Sequence, residues 1–336
     1  MGDGGGGGRR GRTVGVRARP VAFCVFLLAG TLGSAAGQDL GPFVTQCASG
    51  GSAELLTSCQ SAVLAAQAVR GGIAITHAMG TQLSGSYSTI GRRLGSAPRV
   101  SLDVRLRMAR FAMPDILGGG TGAAGENVVN TYGVKGSVAV GVLDGFSLMP
   151  TVGGLLSLDL LASGSLIFLD ESDGFASTES VLSVGGRLGV FRESFTLPGV
   201  TVSLMRSFGT RVDWTSGVNG SQIDADISAT SMRATVGKNF FTFAILAGVG
   251  WDWDEGGMNV QVPDPTIPAG QGIGVGDDLM TRRPVYFGGV SITRLVFQFS
   301  VEGGWTGGYD ALAGYSGAYD PGGVTPFVSV AGRLTI

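Results

Sequence analysis

Charge is scarce in this 336-residue chain: only 14% of its residues are Asp, Glu, Lys or Arg, against 44% that are apolar. A disordered chain needs the opposite balance, so this one must shield a large apolar surface. Histidine is nearly missing, with His77 its single copy, which removes most histidine-dependent catalytic and metal sites. Also missing is an apolar run that could cross a bilayer as a helix: the longest, Val21 to Leu32, is about 12 residues where roughly 20 are needed. After residue 70 no long stretch repeats its apolar residues at helical spacing. There is no basic surplus either, with 23 Lys and Arg against 25 Asp and Glu, which excludes a nucleic-acid partner.

What is there begins with an export signal over residues 1–37. Arg9, Arg10, Arg12, Arg17 and Arg19 precede the short apolar run, and the small residues Ser34, Ala35, Ala36 and Gly37 follow it. Cleavage near Gly37 takes five arginines and one aspartate, so the mature chain is about four charges more acidic than the full chain's −2. Cys24 leaves with the signal. Cys47 and Cys59 remain in an exported chain and are expected to form a disulfide.

Residues 38–98 form a separate unit, a periplasmic helical cap or a plug that enters the barrel described next. Ser52 can cap a helix from Ala53 to about Val69 with Leu55, Cys59, Ala62, Val63 and Ala66 on one stripe, ended by Gly71 and Gly72. Gly72 to Met79 reads as a short strand, and Ser88 to Leu94 as a helical turn or two.

Over residues 99–336 the period becomes two. At Arg99 to Met108, Val100, Leu102, Val104, Leu106 and Met108 share one face, while Ser101, Asp103, Arg105 and Arg107 share the other. Nine further segments follow, near 131–143, 153–169, 178–191, 199–214, 221–236, 240–254, 283–293, 295–307 and 325–336. Most exceed the five or six residues usual in a sandwich and suit tilted membrane strands of roughly 9 to 11. The fold class is all-β: an antiparallel up-and-down transmembrane barrel of ten strands, with twelve as the alternative.

Connections alternate in length if the first strand runs outward. The turns Asp144 to Val152, Arg192 to Pro198, Gly237 to Asn239 and Arg294 are then periplasmic, and Glu255 to Arg282 and Gly308 to Val324 are long external loops. Trp214, Trp251, Trp253 and Trp305 fall at one rim as an aromatic girdle, with Phe146, Phe195, Phe240, Phe241 and Phe297 at the other. In the last segment Val328, Val330, Leu334 and Ile336 alternate with Ser329, Ala331, Arg333 and Thr335. This resembles the terminal strand of bacterial outer-membrane β-barrels, with Ile in place of the usual Phe at the end. The resemblance implies an outer-membrane location, lipid as the surroundings, and the barrel-assembly machinery as a partner through that strand.

The face expected to line the lumen carries Asp103, Arg105, Arg107, Lys135, Asp159, Arg187, Arg211, Asp224, Asp226, Asp252, Glu302 and Arg333. Both signs in a narrow lumen imply an internal salt-bridge network, or else a charged path for small solutes. Arg206 breaks the alternation, and a bulge near Leu204 to Arg206 is expected to turn it inward. A hydrolase built on His77, Asp224 and Asp226 lacks a nucleophile elbow, so the chain is read as no enzyme, with no cofactor and no metal. Gly120-x-Gly122-x-x-Gly125 has no dinucleotide-fold context. Asp252, Asp254, Glu255, Asp277 and Asp278 lack the spacing of a calcium loop. The sequon Asn219-Gly220-Ser221 has no role in a bacterial protein. The reading is a narrow or plugged barrel for passive transport or envelope structure, its ligand unknown, with surface adhesion through the long loops as the alternative.

Overall fold

In the computed structural model, residues 39–49, 53–92, 97–116, 125–147, 155–175, 178–195, 197–215, 221–263 and 272–336 are described. The expected export signal over residues 1–37, Ser52, Gly120, Gly122, Asn219 and Gly220 lie outside them. Two helices, α1 (Gly41–Cys47) and α2 (Ala53–Ala78), precede ten strands. These are β1 (Val100–Pro114), β2 (Glu126–Leu143), β3 (Ser157–Phe168), β4 (Glu179–Phe191), β5 (Gly199–Thr215), β6 (Gln222–Phe240), β7 (Phe243–Pro263), β8 (Gly272–Arg294), β9 (Phe297–Thr306) and β10 (Thr325–Thr335). Each strand pairs with its neighbour in sequence and β1 closes on β10, giving a closed antiparallel barrel of ten strands. The seam runs from Ser101 opposite Thr335 to Ala109 opposite Phe327.

Burial follows the period of two and is inverted relative to a soluble protein. On β1, Leu102, Val104 and Leu106 are exposed while Asp103, Arg105 and Arg107 are buried. The same outward apolar belt continues through Leu160 and Leu166, Val290 and Ile292, Phe299 and Val301, and Val328 and Val330. Apolar side chains facing out and charges facing in suit a wall between lipid and lumen.

Connections at one end span 144–156, 192–198, 241–242 and 295–296, and this short-turn end also holds the barrel's two termini. Those at the other, the long-loop end, span 115–125, 169–178, 216–221, 264–271 and 307–324. The expected loop from Glu255 to Arg282 is corrected: most of it is strand, because β7 and β8 continue as a hairpin with unbroken pairing from Phe243–Ile292 to Pro263–Gly272.

Helix α2 lies inside the barrel, packed most heavily against β1, β6 and β7. The expectations of a helix ending at Gly71 and Gly72 and a strand from Gly72 to Met79 are corrected, since the helix continues to Ala78. Two glycines inside a helix cost about 1 kcal/mol each relative to alanine, and contact with the wall explains them. A Cβ at Gly72 would lie 2.2 Å from the Phe111 ring, and one at Gly71 would lie 1.5 Å from the Tyr309 hydroxyl. The helix is terminated instead at Gly80, whose φ of +69° supplies the left-handed turn. The expected helical turn at Ser88 to Leu94 is also corrected: Ser88 to Arg92 is non-helical and carries an isolated bridge from Arg92 to Pro98.

Cys47 and Cys59 are bonded and fully buried, tying α1 to α2. They are 12 residues apart, and closing a loop of about that length is worth about 3 kcal/mol by chain entropy. The cross-link constrains α1 and touches no strand pairing. Cys47→Ser with Cys59→Ser is therefore expected to leave the barrel's heat-modifiable gel mobility unchanged while making residues 39–52 sensitive to protease.

A candidate site in the barrel lumen

The lumen has two chemically distinct halves. Toward the long-loop end α1 and the first part of α2 sit in an apolar cluster. Leu40, Phe43, Val44, Cys47, Leu55 and Val63 pack with Phe111, Met113, Val129, Trp214, Ile223, Val260 and Leu279. The inward face of the strands is apolar there because the helices provide an apolar partner, as in a soluble core. The loop 307–324 closes over this end. The Tyr309 hydroxyl donates to the Gln67 carbonyl at 3.1 Å, and its ring lies 4.7 Å from the Arg283 guanidinium. Burial pushes the Tyr309 hydroxyl up to about 12, so it stays a donor.

Past the middle of α2 the wall becomes charged. Arg105 faces Glu302 at 3.6 Å, Arg187 meets Asp159 at 2.7 Å, Arg233 meets Asp252 at 2.8 Å and Arg283 meets Asp254 at 3.3 Å. All eight groups are buried. Wall arginines also bond the helix: Arg107 donates to the Thr76 carbonyl at 2.9 Å and Arg233 to Ala78 at 2.8 Å in its last turn, Arg105 to Met79 at 3.0 Å just beyond it, and Arg283 to the Gly71 carbonyl at 2.7 Å within it. The last carbonyls of a helix have no partner within it, and its C-terminal end is negative, so cations satisfy both needs. Arg70 on α2 reciprocates, donating to the carbonyls of Asp254 and Gly256.

The connector from Met79 to Arg92 leaves the helix and runs toward the short-turn end through further hydrogen bonds. Glu302 accepts from the Thr81 amide at 2.8 Å, the Thr81 hydroxyl at 2.6 Å and the Gly85 amide at 2.7 Å. Ser84 donates to Asp103 and its carbonyl accepts from Arg333 at 3.0 Å. Arg187 donates to Ser86 at 2.6 Å, and the Ile90 amide donates to Asp159 at 3.1 Å.

Of the residues expected to face the lumen, Asp103, Arg105, Arg107, Lys135, Asp159, Arg187, Asp252 and Glu302 are buried inside it, and Arg333 is half-buried there. Three expectations are corrected. Arg211 is 67% exposed, and Asp224 and Asp226 share that outer surface with it, around a recess also lined by Asn259 and Asp278. For Arg211 the cause is an extra residue in β5, whose register against β6 slips between Ser207 and Thr210 and so reverses the parity of the rest of that strand; on β6 it is Ile223, Ala225 and Ile227 that face inward, which leaves Asp224 and Asp226 outside. The same slip turns Trp214 inward, where it is buried and donates to the Asp173 carbonyl at 2.6 Å, so it is no part of a girdle. Trp251 and Trp253 flank the exposed Arg282, whose guanidinium lies 5.5 Å from each ring, and Trp305 stacks on Tyr286 at 6.0 Å. Phe146, Phe195, Phe240, Phe241 and Phe297 are exposed at the short-turn end.

The bulge comes after Arg206, so the expectation that Arg206 turns inward is corrected as well. It stays on the outer side, donating to Thr230 at 2.7 Å and Glu255 at 2.9 Å. Both partners of this ion pair are about 40% exposed, so solvent screens it. Glu255→Gln is expected to change stability by less than about 1 kcal/mol, read as an unaltered unfolding midpoint.

His77 is buried in the lumen while Asp224 and Asp226 face away from it, so the structure does not bring these three together. Asp252 and Asp254 are engaged by arginines inside and Glu255 by Arg206 outside; no metal-binding group of three occurs among the described residues. Arg70, Arg233, Asp254 and Arg283 were not anticipated from sequence. Inward parity on β6 to β8, once fixed, identifies the last three.

No protein-family model and no curated protein sequence matches the chain. Solved structures similar to it are outer-membrane barrels. The outer membrane protease OmpT from Escherichia coli is 11% identical, with a TM-score of 0.38, over 76% of this chain and 100% of that one. The transport unit of the autotransporter AIDA-I from Escherichia coli is 9% identical, with a TM-score of 0.37, over 80% and 98%. The translocator domain of the autotransporter NalP from Neisseria meningitidis is 8% identical, with a TM-score of 0.37, over 84% and 99%. At these values the ten-stranded closure stands on the strand pairing alone.

Proposed function

We propose that this protein is a bacterial outer-membrane barrel for the passive transfer of small solutes, held nearly closed by its own N-terminal segment. One observation carries the reading: the later half of a helix and the connector that follows it run through the lumen and are fastened to the wall by buried polar contacts, apolar packing being confined to the long-loop half. A barrel needed only as a wall has no use for a polar interior threaded by a separate segment. A polar fastening can be exchanged for water, whereas an apolar one cannot without exposing apolar surface. The apolar outer belt and the outward-facing Trp251, Trp253 and Trp305 near the long-loop end support a bilayer setting with that end outside. Export through the residues 1–37 signal is the corresponding route.

The test is conductance of the purified protein in planar bilayers. Full-length protein is expected to conduct little, and protein lacking residues 38–98 or carrying Glu302→Ala to conduct several times more. Equal, negligible conductance in all three would leave envelope structure as the role and sink the transfer reading.

The second reading, surface binding, is favoured by the β7–β8 hairpin, whose pairing continues to Pro263–Gly272 while β9 pairs with β8 only up to Val285. Binding to whole cells that is lost when residues 259–276 are deleted, with conductance unchanged, would establish it. The loop 307–324 is less suited, since Tyr309 and Tyr319 are buried.

A further inference from the structure

The charged half of the lumen does not balance. Among the described residues that are buried, seven cationic side chains of Arg and Lys face five carboxylates. Four arginines take one carboxylate each, and Arg70 is held by backbone carbonyls. Arg107 and Lys135 have no carboxylate within 4 Å, and they stand together. Lys135 is directly opposite Arg105 in the β1–β2 ladder and Arg107 opposite Gly133, so Arg107 and Lys135 are diagonal neighbours on the inward face.

Their donors are largely unused. Arg107 spends Nη1 on the Thr76 carbonyl, but its Nε and Nη2 have no partner. Lys135 is 2% exposed and has no hydrogen bond or ion pair among the described residues. Neutral donors gather at the same place. Ser165 is opposite Lys135 and Ser163 is opposite Ser137 across β2 and β3, and the hydroxyls of all three serines are buried without a partner. Across the gap the plug contributes His77, buried and acted on by the charges of Arg107 and Lys135, with the Ile73 carbonyl one turn back on α2 as the only acceptor facing its ring among the described residues and at least one ring nitrogen left free. Asp103 bonds Ser84 through one oxygen while its other oxygen has no partner, and it lies opposite Arg333 in one ladder and Ser137 in the other, at the edge of this group.

Two cations with no carboxylate paired to them, beside several unpartnered hydroxyls that can donate, are what an oxyanion requires, and an unpaired buried charge is otherwise strongly unfavourable. We propose that Arg107, Lys135, His77, Ser137, Ser163 and Ser165 form a binding site for a small oxyanion, phosphate or the carboxylate of a small acid, between the plug and the wall of β1 to β3. The inference names the solute class for the transfer reading and rests on that reading only for access to the site.

The test uses full-length protein in detergent at constant ionic strength. Inorganic phosphate, acetate and chloride are compared by the shift they produce in the thermal unfolding midpoint, and by phosphorus line broadening for phosphate. Phosphate or acetate is expected to raise the midpoint well beyond chloride, and which of them does so identifies the oxyanion. Lys135→Met removes an uncompensated buried charge, so without anion it is expected to unfold at the same or a higher temperature than wild type. Its oxyanion affinity is expected to fall about tenfold or more, the worth of one charge-assisted hydrogen bond. Arg107→Gln, which keeps a donor toward Thr76, is the second variant and is expected to show the same loss. Equal shifts with all three anions, or full oxyanion response in both variants, would overturn the site. Anion response without conductance would sink the transfer reading alone, and conductance without anion response the site alone.

Discussion

Replacing Glu302 by alanine is expected to release the connector from the wall while leaving the barrel assembled. Glu302 is buried and accepts two backbone amides and one hydroxyl from Thr81 and Gly85, all within 2.8 Å, with Arg105 at 3.6 Å. Truncation leaves that arginine without its carboxylate, though still bonded to Met79 and Ser84, and two amides without an acceptor, and breaking one partner from a buried pair costs about 3–5 kcal/mol. The loss falls on the plug. Nothing in the pairing of β9 with β8 or β10 depends on the side chain, since those ladders are backbone bonds. Amide exchange over Met79 to Arg92 should therefore accelerate by about two orders of magnitude or more, as a 3 kcal/mol loss implies at roughly 1.4 kcal/mol per factor of ten. The strands should keep their protection and the heat-modifiable gel band should persist. Uniform acceleration across strands and connector would mean that plug and barrel open as one unit, against this division of labour.

The barrel was legible because one face of each strand had to be apolar for lipid, and the clean alternation at Leu102, Val104 and Leu106 gave both the strand and its orientation. Legibility failed wherever the inward face became apolar too. Around Ile223, Ala225 and Ile227 the interior is lined for contact with the plug, so polarity no longer distinguishes the two sides, and Asp224 and Asp226 were placed inside. A single inserted residue after Ser207 had the same effect on Arg211 and Trp214, because an insertion leaves composition unchanged while reversing every side chain beyond it. The plug was misread for a related reason. Gly71 and Gly72 are the usual signature of a helix end, and what they mark here is a close approach of the helix to its surroundings. That contact is set by Phe111, 39 positions from Gly72, and Tyr309, 238 positions from Gly71, and no local rule reaches so far.

The lumen site shows the same limit from the other side. Arg107 and Lys135 were recognisable as lumen residues, but a pattern of alternation cannot say which charges find partners. Arg233, Asp254 and Arg283, none anticipated, take part in two of the four buried pairs. Only once these were placed did it become visible that the remaining cations are in excess, and that the excess lies beside a row of serines.

Gly72→Ala is expected to displace α2 although alanine is the best helix former. In an unconstrained helix the exchange would stabilise by about 1 kcal/mol; here the new methyl would lie 2.2 to 2.5 Å from three atoms of the Phe111 ring. Phe111 is buried on β1 with Val129 opposite it in the ladder, so the ring cannot swing away without disturbing the wall, and overpacking of this kind costs about 1–3 kcal/mol. The plug is the movable partner and should give way. The expected result is faster exchange of the α2 amides, a lower unfolding midpoint and higher conductance. Gly72→Leu should produce the same changes more strongly. Phe111→Ala alone removes a buried ring, for which about 3–5 kcal/mol is usual, and the decisive measurement is the pair. If the two side chains compete for one space, Gly72→Ala with Phe111→Ala will be more stable than the sum of the single effects by about 1 kcal/mol or more, because the methyl occupies what the ring vacates. Simple additivity would show that helix and wall do not touch at this point, and a plug that does not touch the wall there would not need glycine.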